Sequence, residues 1–391
     1  MAAARPALRD LVMNHAPARA HHVDVLVGGA SFFPRILADL EAARSSIHID
    51  MFGFKEGKIG RRVAAILAGK VRDGVEVRLV IDRVGSAVGR GSAPLYEGLV
   101  AAGVEVVTND ALSVIDRDGL LGRRRWTRRW SDELGAFSHR KLYVIDGTVA
   151  YIGGAGIEDH FADGRFHDVM VRMAGGVVSP LQSTFLSCFR FLGGPLRSGT
   201  RALDRYYPPP RAGGGTSATV LHSVPKGKWW PVTRAYHEEI GAARASLDIA
   251  TAYLVDDRII ARLCGAARRG VRVRILVPGT PNNRVAAAAQ RHEYDRLLEA
   301  GVSIFEFRGM MHAKVLVRDG SRALVGTANL DAVSLRRNEE LNVLIESRRV
   351  AAQFLHRLIE PGIRRSARVR PERGMLARAR NALVNRVGPW L

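Results

Sequence analysis

The sequence predicts an α/β protein made of two copies of one layered unit, related by a pseudo-twofold axis and sharing a single site. Three observations carry this. Short apolar strands alternate with amphipathic helices, the rhythm of βαβ units. The rhythm occurs twice with matching local sequences. Each copy also contains one H-x-K-x-x-x-x-D motif followed by a second apolar run and a Gly-rich tail.

Residues 1–22 read as a basic leader. In the first half, Val23–Val27 is a short strand, and the apolar spacing of Ile36, Leu37 and Leu40 gives a helix over Phe33–Arg44. Ile47–Phe52 alternates as a strand. Ile59–Asp73 is a helix stopped by Gly74, Val75–Ile81 a buried strand, Leu95–Ala102 a helix stopped by Gly103, and Val104–Val107 a strand. The second half repeats this. Ala43-Arg-Ser-Ser-Ile-His-Ile matches Ala243-Arg-Ala-Ser-Leu-Asp-Ile, and Gly74-Val-Glu-Val-Arg-Leu-Val matches Gly270-Val-Arg-Val-Arg-Ile-Leu. The Pro- and Gly-rich stretch 197–217 is the linker, so the domains expected are 23–196 and 218–360, followed by a basic amphipathic tail, 361–391.

Lys and Arg number 59 against 38 Asp and Glu, a formal charge of +21. That excess calls for an anionic partner, either a membrane surface or nucleic acid. The two cysteines, Cys188 and Cys264, lie in apolar helical contexts and suggest neither a disulfide framework nor a thiolate metal site. No apolar run approaches the roughly 20 residues of a membrane span, and the N-terminus lacks a signal-peptide core. Membrane contact is therefore expected to be peripheral, on the cytoplasmic face of the cell membrane. Two patches suit such contact. One is Arg123, Arg124, Arg125, Trp126, Arg128, Arg129 and Trp130, just before the first motif; the other is Trp229 and Trp230. Arg and Trp in this mixture also suit stacking on bases. In the tail, Leu376, Ala379, Leu383, Val387 and Trp390 share one helical face, as in an interfacial helix.

The motifs carry the chemistry. Alternate residues of a strand share a face, so His139 pairs with Lys141 and His312 with Lys314. Should the halves meet, two imidazoles and two ammonium groups converge in a pocket suited to phosphate. One histidine can attack phosphorus while the other protonates the leaving alkoxide, and the lysines neutralise the non-bridging oxygens. Asn329 can donate a further hydrogen bond. Each imidazole needs a partner to hold its tautomer. Asp168 follows His139, and Glu340 follows His312, at matching distances. The motif aspartates, Asp146 and Asp319, are expected to bond backbone and brace the site. Lysines are poor metal ligands, and no His/carboxylate cluster has metal spacing, so neither a metal nor another cofactor is expected.

These paired motifs resemble the phospholipase D superfamily, over roughly residues 23–360. The stretch His139–Gly154, with Gly326-Thr-Ala-Asn-Leu-Asp331 and Asn338-Glu-Glu-Leu-Asn342, is similar to the bacterial cardiolipin synthases. The absence of an N-terminal transmembrane pair makes the chain look like their shorter members. The resemblance implies two α/β/α sandwich domains and metal-free transphosphatidylation. A phosphatidyl group would pass through a phosphohistidine on His139 to phosphatidylglycerol, with His312 as general acid, giving cardiolipin. The first tail departs from the family by carrying Gly156 where Asn is usual, a missing donor that Ser138 or a backbone N–H would have to replace. The same site chemistry would serve a phospholipase-type hydrolase or a nuclease, and a silent lipid- or DNA-binding scaffold is the reading from another class.

Overall fold

The structure is a computed structural model that describes residues 17–88, 91–109, 137–196, 203–209 and 215–371, the side chains of His21 and Lys226 apart. The patch Arg123–Trp130 and the tail helix over 376–390 lie outside the described residues.

The strands of the first lobe are β1 (Ala18–Val27), β2 (Ser46–Met51), β3 (Glu76–Asp82), β4 (Glu105–Asn109), β5 (Lys141–Ile145), β6 (Val149–Gly153), β7 (Phe166–His167) and β8 (Val169–Gly175). Those of the second are β9 (Thr216–Ser223), β10 (Ser246–Ala250), β11 (Arg272–Pro278), β12 (Ser303–Phe307), β13 (Met310–Met311), β14 (Val315–Arg318), β15 (Arg322–Gly326), β16 (Glu340–Glu346) and β17 (Ser366–Arg368). Fifteen of them form one sheet in the order β17-β12-β11-β10-β14-β15-β16-β9-β1-β8-β6-β5-β2-β3-β4. Read outward from the β9–β1 junction, the two wings have the same order and connectivity, with β17 added at one edge. The duplication in the sequence is thus a duplication of topology, and an apolar cluster containing Val25, Val171, Val220 and Val343 runs through the junction.

Helices cover the sheet because their apolar stripes have helical period. Gly29–Glu41 buries Phe32, Phe33, Ile36, Leu37 and Leu40. Neither it nor its second-wing counterpart, Pro231–Ala242, has a side-chain cap, whereas Asp257–Arg268, the counterpart of Lys58–Arg72, does. Asp256 accepts hydrogen bonds from the Arg258 and Ile259 amides at the start of Asp257–Arg268.

Three boundaries differ from expectation. β1 starts at Ala18, inside the expected leader, because Ala18–Ala20 pairs with Thr216–Ala218 to join the wings. For the same reason Thr216 and Ser217 belong to β9 rather than to the linker. The tail starts later than 361. Glu360–Arg364 is helical, and Ser366–Arg368 pairs antiparallel with β12. Among the described residues, no helix is long and apolar enough to cross a membrane.

Candidate active site

β2 and β5 are antiparallel, with Met51 opposite Lys141, so the first motif begins at the C-terminal end of β2. β10 and β14 do the same for the second motif, with Ala250 opposite Val315. Both motif histidines therefore emerge at one edge of the sheet. Backbone bonds across the lobes hold them there. The His139 amide donates to Glu339 O at 3.0 Å, and the His312 amide donates to His167 O at 2.8 Å. These are equivalent contacts, each to the residue preceding a buried carboxylate of the opposite lobe.

The carboxylates complete a crossed arrangement. His139 Nδ1 lies 3.0 Å from Glu340 Oε1, and His312 Nδ1 lies 2.6 Å from Asp168 Oδ2. The sequence spacing had coupled Asp168 with His139 and Glu340 with His312. The structure exchanges the partners, because each carboxylate strand runs against the motif of the other lobe. Both carboxylates are fully buried. Burial pushes each upward, but its histidine and the neighbouring lysines overcome this and hold both below the usual carboxylate range. With an ionised carboxylate on Nδ1, each ring carries its proton there and turns Nε2 toward the site.

The lysines sit beside the rings. Lys141 Nζ donates to His139 O at 2.8 Å and lies 4.9 Å from the centre of the Phe52 ring. Lys314 Nζ donates to His312 O. Burial pushes Lys141 down to about 8 and Lys314 to about 7. Glu340 and Asp168 oppose that shift at both lysines, while Lys141 adds repulsion at Lys314. Two carboxylates from different lobes thus act on two ammonium groups from different lobes, as convergence on one centre requires. Burial also lowers both imidazoles, His312 to about 3. Burial thus favours neutral rings beside ammonium groups whose protons are loosened toward neutral pH.

Asp146 and Asp319 lie away from this centre. Asp146 accepts from the amides of Arg44, Ser45 and Ser46, and Asp319 from those of Arg244, Ala245 and Ser246. Each sits at positive φ (52° and 50°) in the Asp-Gly turn that follows its motif strand. They pin the start of β2 and β10 to the motif hairpins. Asn329 is buried, and its Oδ1 has no hydrogen-bond partner among the described residues.

Several residues at the site were not singled out from sequence. The Thr327 hydroxyl donates to Glu340 Oε2, tying the second tail to the partner of His139. Arg140, between the motif His and Lys, points to the opposite face. There it is fully buried against Asp50 at 2.6 Å, Glu339, and His222 Nε2 at 3.2 Å, which latches the two lobes together. Its position was legible from strand alternation, but its partners come from both lobes. Gly154 packs its backbone on Asp168: a Cβ there would lie 2.5 Å from Oδ1. Ser138 does not replace the missing donor of the first tail. Its amide bonds Asp82, and its hydroxyl bonds Asp50 at 3.3 Å, behind the site. Of the second patch, Trp229 is half-buried under Arg234, and Trp230 is 39% exposed.

A family model described as "Cardiolipin synthase, PLD-like domain" matches residues 36–185 and 236–360, one segment in each wing of the sheet. The chain belongs to this phospholipase D-like family. The cardiolipin synthase of Geobacillus kaustophilus is 33% identical over 87% of the chain and 66% of its own length. That of Geobacillus thermodenitrificans is 32% identical over 85% of the chain and 64% of its own length. The chain thus spans just under two thirds of these phospholipase D-like relatives. The crystal structure of a phosphatidylserine synthase from Haemophilus influenzae shares the fold, with a TM-score of 0.70 at 13% identity over 95% of both chains.

Proposed function

We propose that the protein is a phosphatidyltransferase that makes cardiolipin from phosphatidylglycerol and a second phospholipid, working at a membrane surface. The observation that carries the reading is the crossed pair of histidine–carboxylate contacts, with a lysine beside each ring. In the proposed reaction, His139 Nε2 attacks the phosphorus of the donor lipid, and the bond to the departing headgroup oxygen breaks. For this step His312 enters as the imidazolium, a form favoured by Asp168 and by the anionic phosphodiester; its Nε2 proton passes to that oxygen, the ring becomes neutral, and a phosphatidyl-histidine remains. The neutral His312 then takes the proton of the incoming hydroxyl, whose oxygen displaces His139. Lys141, Lys314 and Asn329 hold the non-bridging oxygens. Glu340 and Asp168 stabilise the imidazolium that forms on each ring in turn.

The membrane assignment draws support from exposed apolar side chains. Trp230, Val84 and Val285, at 39, 48 and 52% exposure, follow the C-terminal ends of β9, β3 and β11, on the edge that carries the histidines. That arrangement and the +21 charge suit an anionic lipid surface.

Purified protein, in chelator, is incubated with phosphatidylglycerol vesicles, and the lipids are read by mass spectrometry. Cardiolipin and free glycerol are expected, and His139→Ala should abolish both. A parallel assay on single- and double-stranded DNA tests the nuclease reading. Absence of product from every phospholipid mixture, with cleavage of DNA, would overturn the assignment.

A further inference from the structure

The lobes are duplicates, yet they do not present the same groups. Parallel bridges join Phe54 to Ile157 and Leu254 to Leu330. The matching bonds are Ile157 N to Gly53 O at 2.8 Å and Leu330 N to Tyr253 O at 3.1 Å. These contacts fix the correspondence as Gly156 with Asn329, Glu158 with Asp331, Gly53 with Tyr253, and Lys55 with Val255. In the second lobe, Asp331 turns back to cap its own helix, accepting from the Ser334 amide at 2.7 Å. Glu158 makes no such cap bond. Its carboxylate folds over the two glycines instead. A Cβ on Gly156 would lie 2.9 Å from Glu158 Oε1, and one on Gly53 would lie 2.2 Å from it.

The carboxylate therefore occupies the space in which side chains at 53 and 156 would begin. The side chain is 12% exposed, and Lys55 Nζ holds Oε2 at 2.8 Å. No described residue donates a hydrogen bond to Oε1. Oε1 thus stands over Gly156, the position that corresponds to the buried Asn329 of the second tail.

An amide at this position can donate to a phosphate oxygen, whereas a carboxylate repels that oxygen and accepts from a hydroxyl. We propose that Glu158 is a specificity-determining residue whose Oε1 accepts a hydrogen bond from a hydroxyl of a glycerol-type headgroup, with Lys55 offsetting its charge. The second lobe then keeps the phosphate-facing amide, and the first lobe reads the alcohol. The proposal rests on the phosphatidyl-transfer reading for its substrate class.

Two measurements test it. The first is titration of glycerol 3-phosphate and of ethyl phosphate onto the wild-type protein, Glu158→Ala and Glu158→Gln, which needs no turnover. Wild type should prefer the glycerol ester by about tenfold, the size expected for a hydrogen bond to a charged acceptor. Glu158→Ala should erase the preference, and Glu158→Gln, whose amide oxygen still accepts, should keep part of it. The second is transfer to glycerol against transfer to ethanol, where the selectivity ratio should fall about tenfold in Glu158→Ala. A preference for glycerol phosphate that survives in Glu158→Ala, or is absent from wild type, overturns the proposal. If wild type makes no phosphatidyl alcohol at all, the transferase reading fails, and the binding measurement still decides the role of Glu158.

Discussion

Each imidazole leans on a carboxylate from the other lobe, so a carboxylate substitution should act across the lobe boundary. Glu340→Gln keeps the shape and removes the charge. Glu340 is fully buried, accepts from His139 Nδ1 at 3.0 Å, and takes the Thr327 hydroxyl on its other oxygen. A hydrogen bond to a charged group contributes about 1.5–3 kcal/mol. Losing it from an imidazolium-forming step should therefore lower kcat/KM on the order of tenfold to a hundredfold. Asp168→Asn should cost a similar amount through His312, whose contact is 2.6 Å. Leaving groups separate the two effects. 4-Nitrophenolate departs from its phosphatidyl ester without a proton, so single-turnover release of nitrophenolate, which reads the first step alone, should be rescued in Asp168→Asn and stay impaired in Glu340→Gln. Nitrogen-15 NMR of the histidine rings gives a readout free of kinetics: Glu340→Gln should move the His139 signals and spare those of His312. If the His312 signals move instead, or if both variants respond alike to the leaving group, the crossed pairing or the proposed order of roles is wrong.

The remaining predictions concern charge and bracing. Lys314 is pushed down to about 7 and Lys141 to about 8, so both lose their protons as pH rises through that window. Activity on a phosphodiester, whose own charge is constant there, should fall with rising pH over the same range. Lys314→Arg should remove the lower part of that limb, because guanidinium stays charged; a flat wild-type profile between pH 6 and about 9 would contradict the burial argument. Arg140→Met leaves the buried Asp50 and the half-buried Glu339 without their cation, and should cost about 3–5 kcal/mol in urea denaturation. Asp146→Ala removes the acceptor of three backbone amides and places Ala at positive φ, so a loss of about 2 kcal/mol or more is expected by thermal or chemical unfolding, with Asp319→Ala behaving the same way.

The elements of the first lobe up to β4 were legible because their apolar periods are clean and because Gly74 and Gly103 mark helix ends, and those of the second followed from the repeat. The paired motifs mark His139, Lys141, His312 and Lys314 through their repetition and strand alternation alone. Sequence could not reveal the crossing of Asp168 and Glu340. Spacing along the chain is the same whether a carboxylate serves its own lobe or the other; only the β9–β1 junction decides. Arg140 was hidden for a related reason, since its ligands Asp50, Glu339 and His222 are distant in sequence. The expected leader and linker failed at the same place. Ala18–Ala20 and Thr216–Ala218 look unremarkable alone and become strands only by pairing with each other.

Duplication makes a symmetric frame, but a phosphodiester is not a symmetric guest, since its two ester oxygens have different fates. Identical lobes would offer attack from either side with equal ease. The groups that differ between the lobes cluster around the site. Thr327 bonds Glu340, while its counterpart Gly154 presses bare backbone on Asp168. Asn329 corresponds to Gly156, and Arg140 with Asp50 corresponds to Ala313 with Ala250. Each exchange alters what surrounds a ring or its carboxylate, and none touches the His, Lys or Asp of the motif. The repeated residues thus supply a chemistry available from both sides, and the unrepeated neighbours select which histidine attacks and which carries the proton. It follows that Thr327→Gly, which makes the second tail match the first at that position, should weaken the distinction between the histidines. A phosphoenzyme trap would then find label on both rings, whereas label confined to His139 would place the asymmetry elsewhere.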